Sequence, residues 1–172
     1  MEIQSEKQAS ASTESDMIIA QDDISRPDIT ALLEAHFTAL FVSIKANIRL
    51  LDVSALRHPS ITIFTARNPA SEELMGCTAL KQISPIRGEL KSMRTAAGHQ
   101  RKGVAGALIR HILSVAKLRA YQEVILETGA LEEFAPARAL YARYGFVTCD
   151  GFEGYDNTPS EAKSVFMIYY IK

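Results

Sequence analysis

The stretch that most constrains the fold of this chain is "HQRKGVAGALIRHILSVAK", His99 to Lys117, set between two strand-like runs, "GELKSMRT" and "EVILETG". Its second part is an amphipathic helix, with Val104, Leu108, Ile112, Val115 and Ala116 on one stripe. Strand, helix and strand with a short return imply a parallel pair joined by a right-handed crossover. The first part conflicts with a bare helix. A helix N-terminus carries the positive end of the macrodipole and favours anions. Helices ordinarily open with Asp, Glu, Ser or Thr, yet Arg101, Lys102 and Gly103 stand here.

An anion brought by a ligand would remove the conflict. The first four amides of a helix have no internal partner, and a phosphate can take several of them. Gly103 lets a ligand approach the backbone closely, and Ala105 keeps a nearby position small. Arg101 and Lys102 add charge suited to a diphosphate. No acidic residue occurs between Glu89 and Glu123, whereas Lys91, Arg94, Arg101, Lys102, Arg110, Lys117 and Arg119 do, with His99 and His111. A solvated basic face is the plainer explanation of such a run, but this one surrounds the unusual helix start. The net charge is only −1, so there is no global field to draw the chain to nucleic acid or an anionic membrane. No apolar run has the length of a membrane span, and the N-terminus lacks the order of a signal peptide, so a cytoplasmic location is expected.

The anion is not identified by the common phosphate motifs. The segment lacks GxxxxGK[ST] of a P-loop and GxGxxG of a dinucleotide fold. Cys77 and Cys149 form no CxxC and adjoin no His pair, which argues against zinc and leaves them as two small buried hydrophobes. No metal is expected.

Elsewhere the chain alternates in the manner of one domain over 17–172, after a polar, Ser-rich segment, 1–16, that reads as a disordered tail. "MIIAQ" is a short strand. "SRPDITALLEAHFTALFVSIKA" is a helix with Ser25 as candidate N-cap and His36 at the edge of its apolar stripe. "DVSAL" adds a helical turn. "SITIFTAR" and "LMGCTALKQI" form a hairpin through "NPASEE". "APARALYARY" is a shorter helix, and "FVTCDGF" and "SVFMIYYIK" are closing strands around "GYDNTPSEA".

What remains at the helix start, Q-x-x-G-x-A after a strand, resembles the coenzyme A loop of the GNAT superfamily of N-acetyltransferases. The flanks carry the resemblance further. "ELKSMRT" fits the superfamily strand upstream, and "ARALYARYGF" supplies Ala137, Leu140, Tyr141, Gly145 and Phe146 at matching spacing downstream. The resemblance covers nearly everything from Met17 to Lys172. More narrowly, "GCTALK", "LETG", "APARALY" and "FMIYY" look like a bacterial group of acetyltransferases, some labelled with indole-3-acetic acid; the superfamily, not that label, is the reading adopted. Two departures stand out. Phe134 replaces an Asn that often bonds the pantetheine arm, and Gln100 stands where Arg is commoner.

The resemblance implies an α/β (α+β) fold: a mixed, splayed central sheet flanked by helices, with acetyl-CoA wedged between the fourth and fifth strands. It implies that the backbone at Met93, Arg94 and Thr95 pairs with pantetheine. The amides of Arg101, Lys102, Gly103, Val104, Ala105 and Gly106 would hold the pyrophosphate, beside Gln100, with Phe134 packing near the arm. Tyr141 falls at the position of the acid that protonates the departing thiolate, with Tyr144 as its neighbouring non-acid. Glu89 falls where some relatives carry a general base, although a Glu at a strand edge also serves solubility. By the strand's period of two, Lys91 and Arg94 fall on opposite faces, so that one would face the acceptor pocket and suit a carboxylate. Tyr155 and Phe152 would wall that pocket. The implied activity is acetyl transfer to a small-molecule amine by direct attack in a ternary complex, with no metal and with a homodimer left open. The rivals are a non-catalytic CoA-sensing or partner-binding module on the same fold and a domain binding some other anion.

Overall fold

The structure is a computed structural model and describes residues 17–44, 53–152 and 164–172. The segment 1–16, expected to be a tail, and the loop containing Tyr155 lie outside the described residues.

The elements follow in the order β1 (Ile18–Gln21), α1 (Pro27–Ile44), a 3-10 turn (Val53–Arg57), β2 (Ile61–Arg67), β3 (Leu74–Ser84) and β4 (Arg87–Thr95). A short 3-10 turn (Ala97–His99) leads into α2 (Val104–Leu118), then β5 (Glu123–Gly129), α3 (Ala135–Arg143), β6 (Val147–Cys149) and β7 (Ser164–Tyr170). The described strands form one seven-stranded sheet in the order β1-β2-β3-β4-β5-β7-β6. Every neighbouring pair is antiparallel except β4–β5, whose strands are joined by the α2 crossover. Among the described residues no helix is long and apolar enough to cross a membrane.

Each face of the sheet has its own core. Leu80, Leu90, Val124, Leu126 and Met167 pack with Ile109, Ile112 and Ala116 of α2 and with Tyr141 and Phe146. Ile63, Cys77 and Ala79 pack on the opposite face with Ile29 and Leu33 of α1. The apolar stripe of α2 therefore covers one side of the sheet and α1 the other, which brings both helices beside β4.

The start of α1 is fastened to β2 by charge. Arg67 Nε meets Asp22 Oδ2 at 2.9 Å and its Nη1 meets Asp28 Oδ2 at 2.7 Å. Hydrogen bonding and attraction from Arg67 hold the Asp28 carboxyl below its usual range. The expected N-cap, Ser25, is displaced. Helical bonding begins with Thr30 N–H donating to the Arg26 carbonyl, and the Ser25 amide instead donates to Asp23 Oδ1. Pro27, which needs no amide acceptor at the first helical position, fixes that start one residue later than the Ser signal implies.

Candidate active site

The central feature is a fork in the sheet. The two parallel strands pair only at Arg87–Glu123, Gly88–Val124 and Glu89–Ile125. Beyond that point β4 remains paired with β3 as far as Thr95, while β5 remains paired with β7 as far as Gly129. Leu90–Thr95 and Leu126–Gly129 thus present facing edges with no ladder between them. Such an edge can take an extended ligand as an added strand.

A β-bulge lies on the open arm of this fork. Between the Lys91–Ala79 and Arg94–Cys77 pairs, Ser92 and Met93 oppose the single residue Thr78. Ser92 has a φ of 52°, and the Thr78 hydroxyl donates to the Lys91 carbonyl at 3.1 Å. Bulges bend their strand and increase its local twist, in keeping with the departure of β4 from β5.

The bulge also overturns the period-two reading of Lys91 and Arg94. Residues directly opposite across an antiparallel pair share a face, and Cys77 and Ala79, two apart on β3, share the α1 face. Lys91 and Arg94 therefore lie on one face, not on opposite faces. Glu89, opposite Lys81, joins the same row, whereas Leu90 and Met93 pack toward α2. Glu89 occupies the vertex of the fork, buried, with Oε1 accepting from Lys91 Nζ at 2.8 Å.

The start of α2 is open. Gly103 is its N-cap, with φ 83° and ψ 0°, and no side chain caps the helix. The first helical bond runs from Ala107 N–H to the Gly103 carbonyl, so the amides of residues 103–106 precede the helical ladder. A Cβ built on Gly103 would meet nothing within 4 Å. Gln100, Arg101 and Lys102 are exposed beside it, and Arg101 itself has a φ of 59°. Val104 is buried and packs with Ala66, Met75 and Leu108, Ala105 is half-buried, and Thr95, which ends β4, is half-buried as well. The rest of the basic run disperses: Arg110 donates to the Tyr144 hydroxyl, Arg119 to Thr62, and His111 meets the Phe64 ring edge-on.

Tyr141 stands on the α2 side of the fork, buried in the same cluster as Leu90 and Leu126, the first residues past the last β4–β5 pair. Burial pushes its hydroxyl up to about 12, so it is protonated at neutral pH. Tyr144 is placed differently. Its hydroxyl fills the space that a Cβ on Gly106 would need, so it docks the end of α3 on the small residue of α2. Phe134 packs in the same manner against Gly129, its ring filling the space that a Cβ there would need. Arg138, not singled out from sequence, donates to the carbonyls of Gly129 at 2.6 Å and Leu131 at 2.9 Å, tying α3 to the end of β5. Phe152 packs on Phe166 and under the Arg87 guanidinium, beside the closed end of the fork. Of the cysteines, Cys77 is buried, and burial raises its thiol to about 12. Cys149 is half-buried on the edge strand β6, not buried as expected.

A sheet forked between two parallel strands, with an uncapped helix start beside the open arm, defines the class of the acyl-CoA acyltransferase fold. The model of the Acetyltransferase (GNAT) family matches residues 27–146. The Bacillus subtilis (strain 168) protein named uncharacterized N-acetyltransferase YsnE is 40% identical over 152 residues, 88% of this chain and 97% of that one. The Escherichia coli (strain K12) protein named uncharacterized N-acetyltransferase YedL is 38% identical over 142 residues, 82% of this chain and 88% of its own length. Among solved structures, a GNAT family acetyltransferase from Elizabethkingia anophelis with acetyl-CoA bound superposes with a TM-score of 0.68 at 19% identity, over 91% of this chain and 99% of that one. The chain belongs to the GNAT family of acetyltransferases. None of these relatives carries the indole-3-acetic acid label.

Proposed function

We propose that the chain transfers an acetyl group from acetyl-CoA to the amine of a small molecule, by direct attack within a ternary complex. The observation that carries this reading is the conjunction of the β4–β5 fork with the uncapped α2 start. Pantetheine pairs with the free edge at Met93, Arg94 and Thr95, and the pyrophosphate rests on the amides from Arg101 to Gly106 with Gln100 beside them. Phe134, which has no side-chain amide to offer pantetheine, contributes apolar contact from its ring. The acetyl-CoA of the Elizabethkingia structure supports this identity of the donor.

Glu89, on β4 at the vertex of the fork, lies on the α1 face of the sheet, and Tyr141, on α3, packs on the α2 face. An amine arriving from the α1 side attacks the thioester carbonyl, and a nitrogen–carbon bond forms as the carbonyl π bond becomes an oxyanion. Glu89 or a water takes the amine proton. The carbon–sulfur bond then breaks, the carbonyl re-forms, and Tyr141 gives its proton to the departing sulfur. The phenolate is afterwards reprotonated from solvent. A covalent acetyl-cysteine route is disfavoured because burial raises both thiols, that of Cys77 to about 12 and that of Cys149 above its usual value, and so favours the unreactive protonated form at neutral pH.

The decisive experiment is a screen of amino acids, peptides, polyamines and aminoglycosides for acetyl-CoA turnover, read by released thiol and by the mass of the product. Thiol release that requires the amine is expected. Absence of turnover across all four classes, or an acetylated enzyme formed from acetyl-CoA alone, would refute the reading.

A further inference from the structure

We propose that Arg94 anchors the acceptor by binding a carboxylate that the acceptor carries in addition to its amine. This rests on the transferase reading above and adds to it the chemical class of the substrate.

The bulge at Ser92 is the first support, because it turns Arg94 onto the face that holds Glu89 and Lys91. Along that row Lys91 is already matched: its ammonium lies 2.8 Å from Glu89 Oε1, so the pair carries no net charge. Arg94 is half-buried, and no carboxylate among the described residues pairs with it. A partly desolvated guanidinium without a counter-charge is costly unless a ligand supplies one. Among the described residues its other neighbours supply none. The Cys77 thiol opposite it is protonated, and His36 on α1 is held neutral by burial and by Arg94 itself, its pKa lowered to about 4.

The same arrangement selects among anions. Arg matches a planar carboxylate with two parallel hydrogen bonds. A phosphate dianion calls for a second cation, and among the described residues the neighbouring one on this face of β4, Lys91, is occupied by Glu89. A polycationic amine would meet Arg94 as a like charge and be disfavoured. Opposite Cys77, Arg94 stands four β3 residues from the rung of Glu89 at the vertex, roughly 13 Å along the strand. The carboxylate is therefore held toward the open end of the α1 face, and the amine is directed to the fork.

The test compares amines bearing a carboxylate with the same amines as carboxamides, by kcat/KM at saturating acetyl-CoA. The carboxylates are expected to lead by about 10- to 150-fold, the span of a charge-assisted hydrogen bond. Arg94→Gln should bring that ratio close to one, Arg94→Lys should keep part of it, and Arg94→Glu should shift preference to amines with a second cation. Equal rates for carboxylate and carboxamide in the wild type, a preference for polycations or phosphate-bearing amines, or an unchanged ratio in Arg94→Gln would each overturn the proposal. Those outcomes leave the transferase reading standing. Failure of every amine to turn over would end both.

Discussion

Replacing Gly103 by alanine separates the strain of the α2 start from its use. With φ at 83°, Gly103 sits in the left-handed region, where a Cβ costs about 1–2 kcal/mol. A Cβ there meets no atom within 4 Å, so no steric penalty adds to that figure in the free protein. For a domain of this size each kcal/mol moves Tm by about 2–4 °C, so calorimetric melting should fall by about 2–8 °C. If the pyrophosphate rests on these amides, the same methyl group intrudes between ligand and backbone. Loss of one charge-assisted hydrogen bond, about 1.5–3 kcal/mol, corresponds to roughly 10- to 150-fold in Kd. Titration calorimetry with CoA measures it directly. Gly98→Ala is the control, since a Cβ there also meets nothing within 4 Å and it should change neither quantity. Valine is the poorer choice at position 103, because its branching adds strain at that φ. A Gly103→Ala protein that melts lower yet binds CoA within twofold of wild type would show that the diphosphate does not sit on the α2 start.

Tyr141→Phe keeps the buried ring and removes the donor, so kcat should fall by about 10²- to 10⁴-fold with little change in CoA affinity. Because burial raises the Tyr141 hydroxyl to about 12, wild-type kcat should show no loss from its ionisation below about pH 11; a basic limb near 9 that vanishes in Tyr141→Phe would contradict this placement. Tyr144→Phe gives up the hydrogen bond from Arg110 and should cost about 1 kcal/mol of stability in denaturant titration while kcat holds. His36 is neutral when folded down to about pH 4 but accepts a proton near 6.5 when unfolded. Between those values the unfolded state binds more protons, so stability rises with pH; His36→Gln should flatten that slope, and an unchanged slope would mean that His36 titrates normally.

The elements were legible in the sequence because periodicity carries them. The α2 stripe has five apolar positions at helical spacing, and β2, β3 and β5 are bounded by polar turns, so hydrophobic pattern and turn chemistry agree. The uncapped helix start was legible for a different reason: Arg101, Lys102 and Gly103 contradict the preference of a bare helix, and local conflicts of that kind are expected at functional or strained positions. Ser25 misled because a hydroxyl and the following Pro27 both signal an N-terminus, and only the bonding of Thr30 to Arg26 decides between them. The bulge was not legible at all. Ser92 is neither Gly nor Asn, the residues that ordinarily announce a positive φ, and its conformation is set by the two-against-one match with Thr78.

That single extra residue is why the side-chain map of β4 failed while its strand assignment held. A strand read by period two assumes an uninterrupted ladder; one inserted residue reverses every side chain beyond it. Up to Lys91 the alternation is correct, with Glu89 and Lys91 on the α1 face and Leu90 toward α2. Past Ser92 the parity inverts, which moves Arg94 from the α2 core, where an unpaired guanidinium has no place, to the α1 face. The same insertion lies on the arm of β4 that has left β5, where its backbone edge stands without a parallel partner. The irregularity that hid the position of Arg94 therefore belongs to the fork itself, on which the proposed site is built. A regular β4 would return Arg94 to the apolar side, where no acid among the described residues of the α2 core would offset its charge.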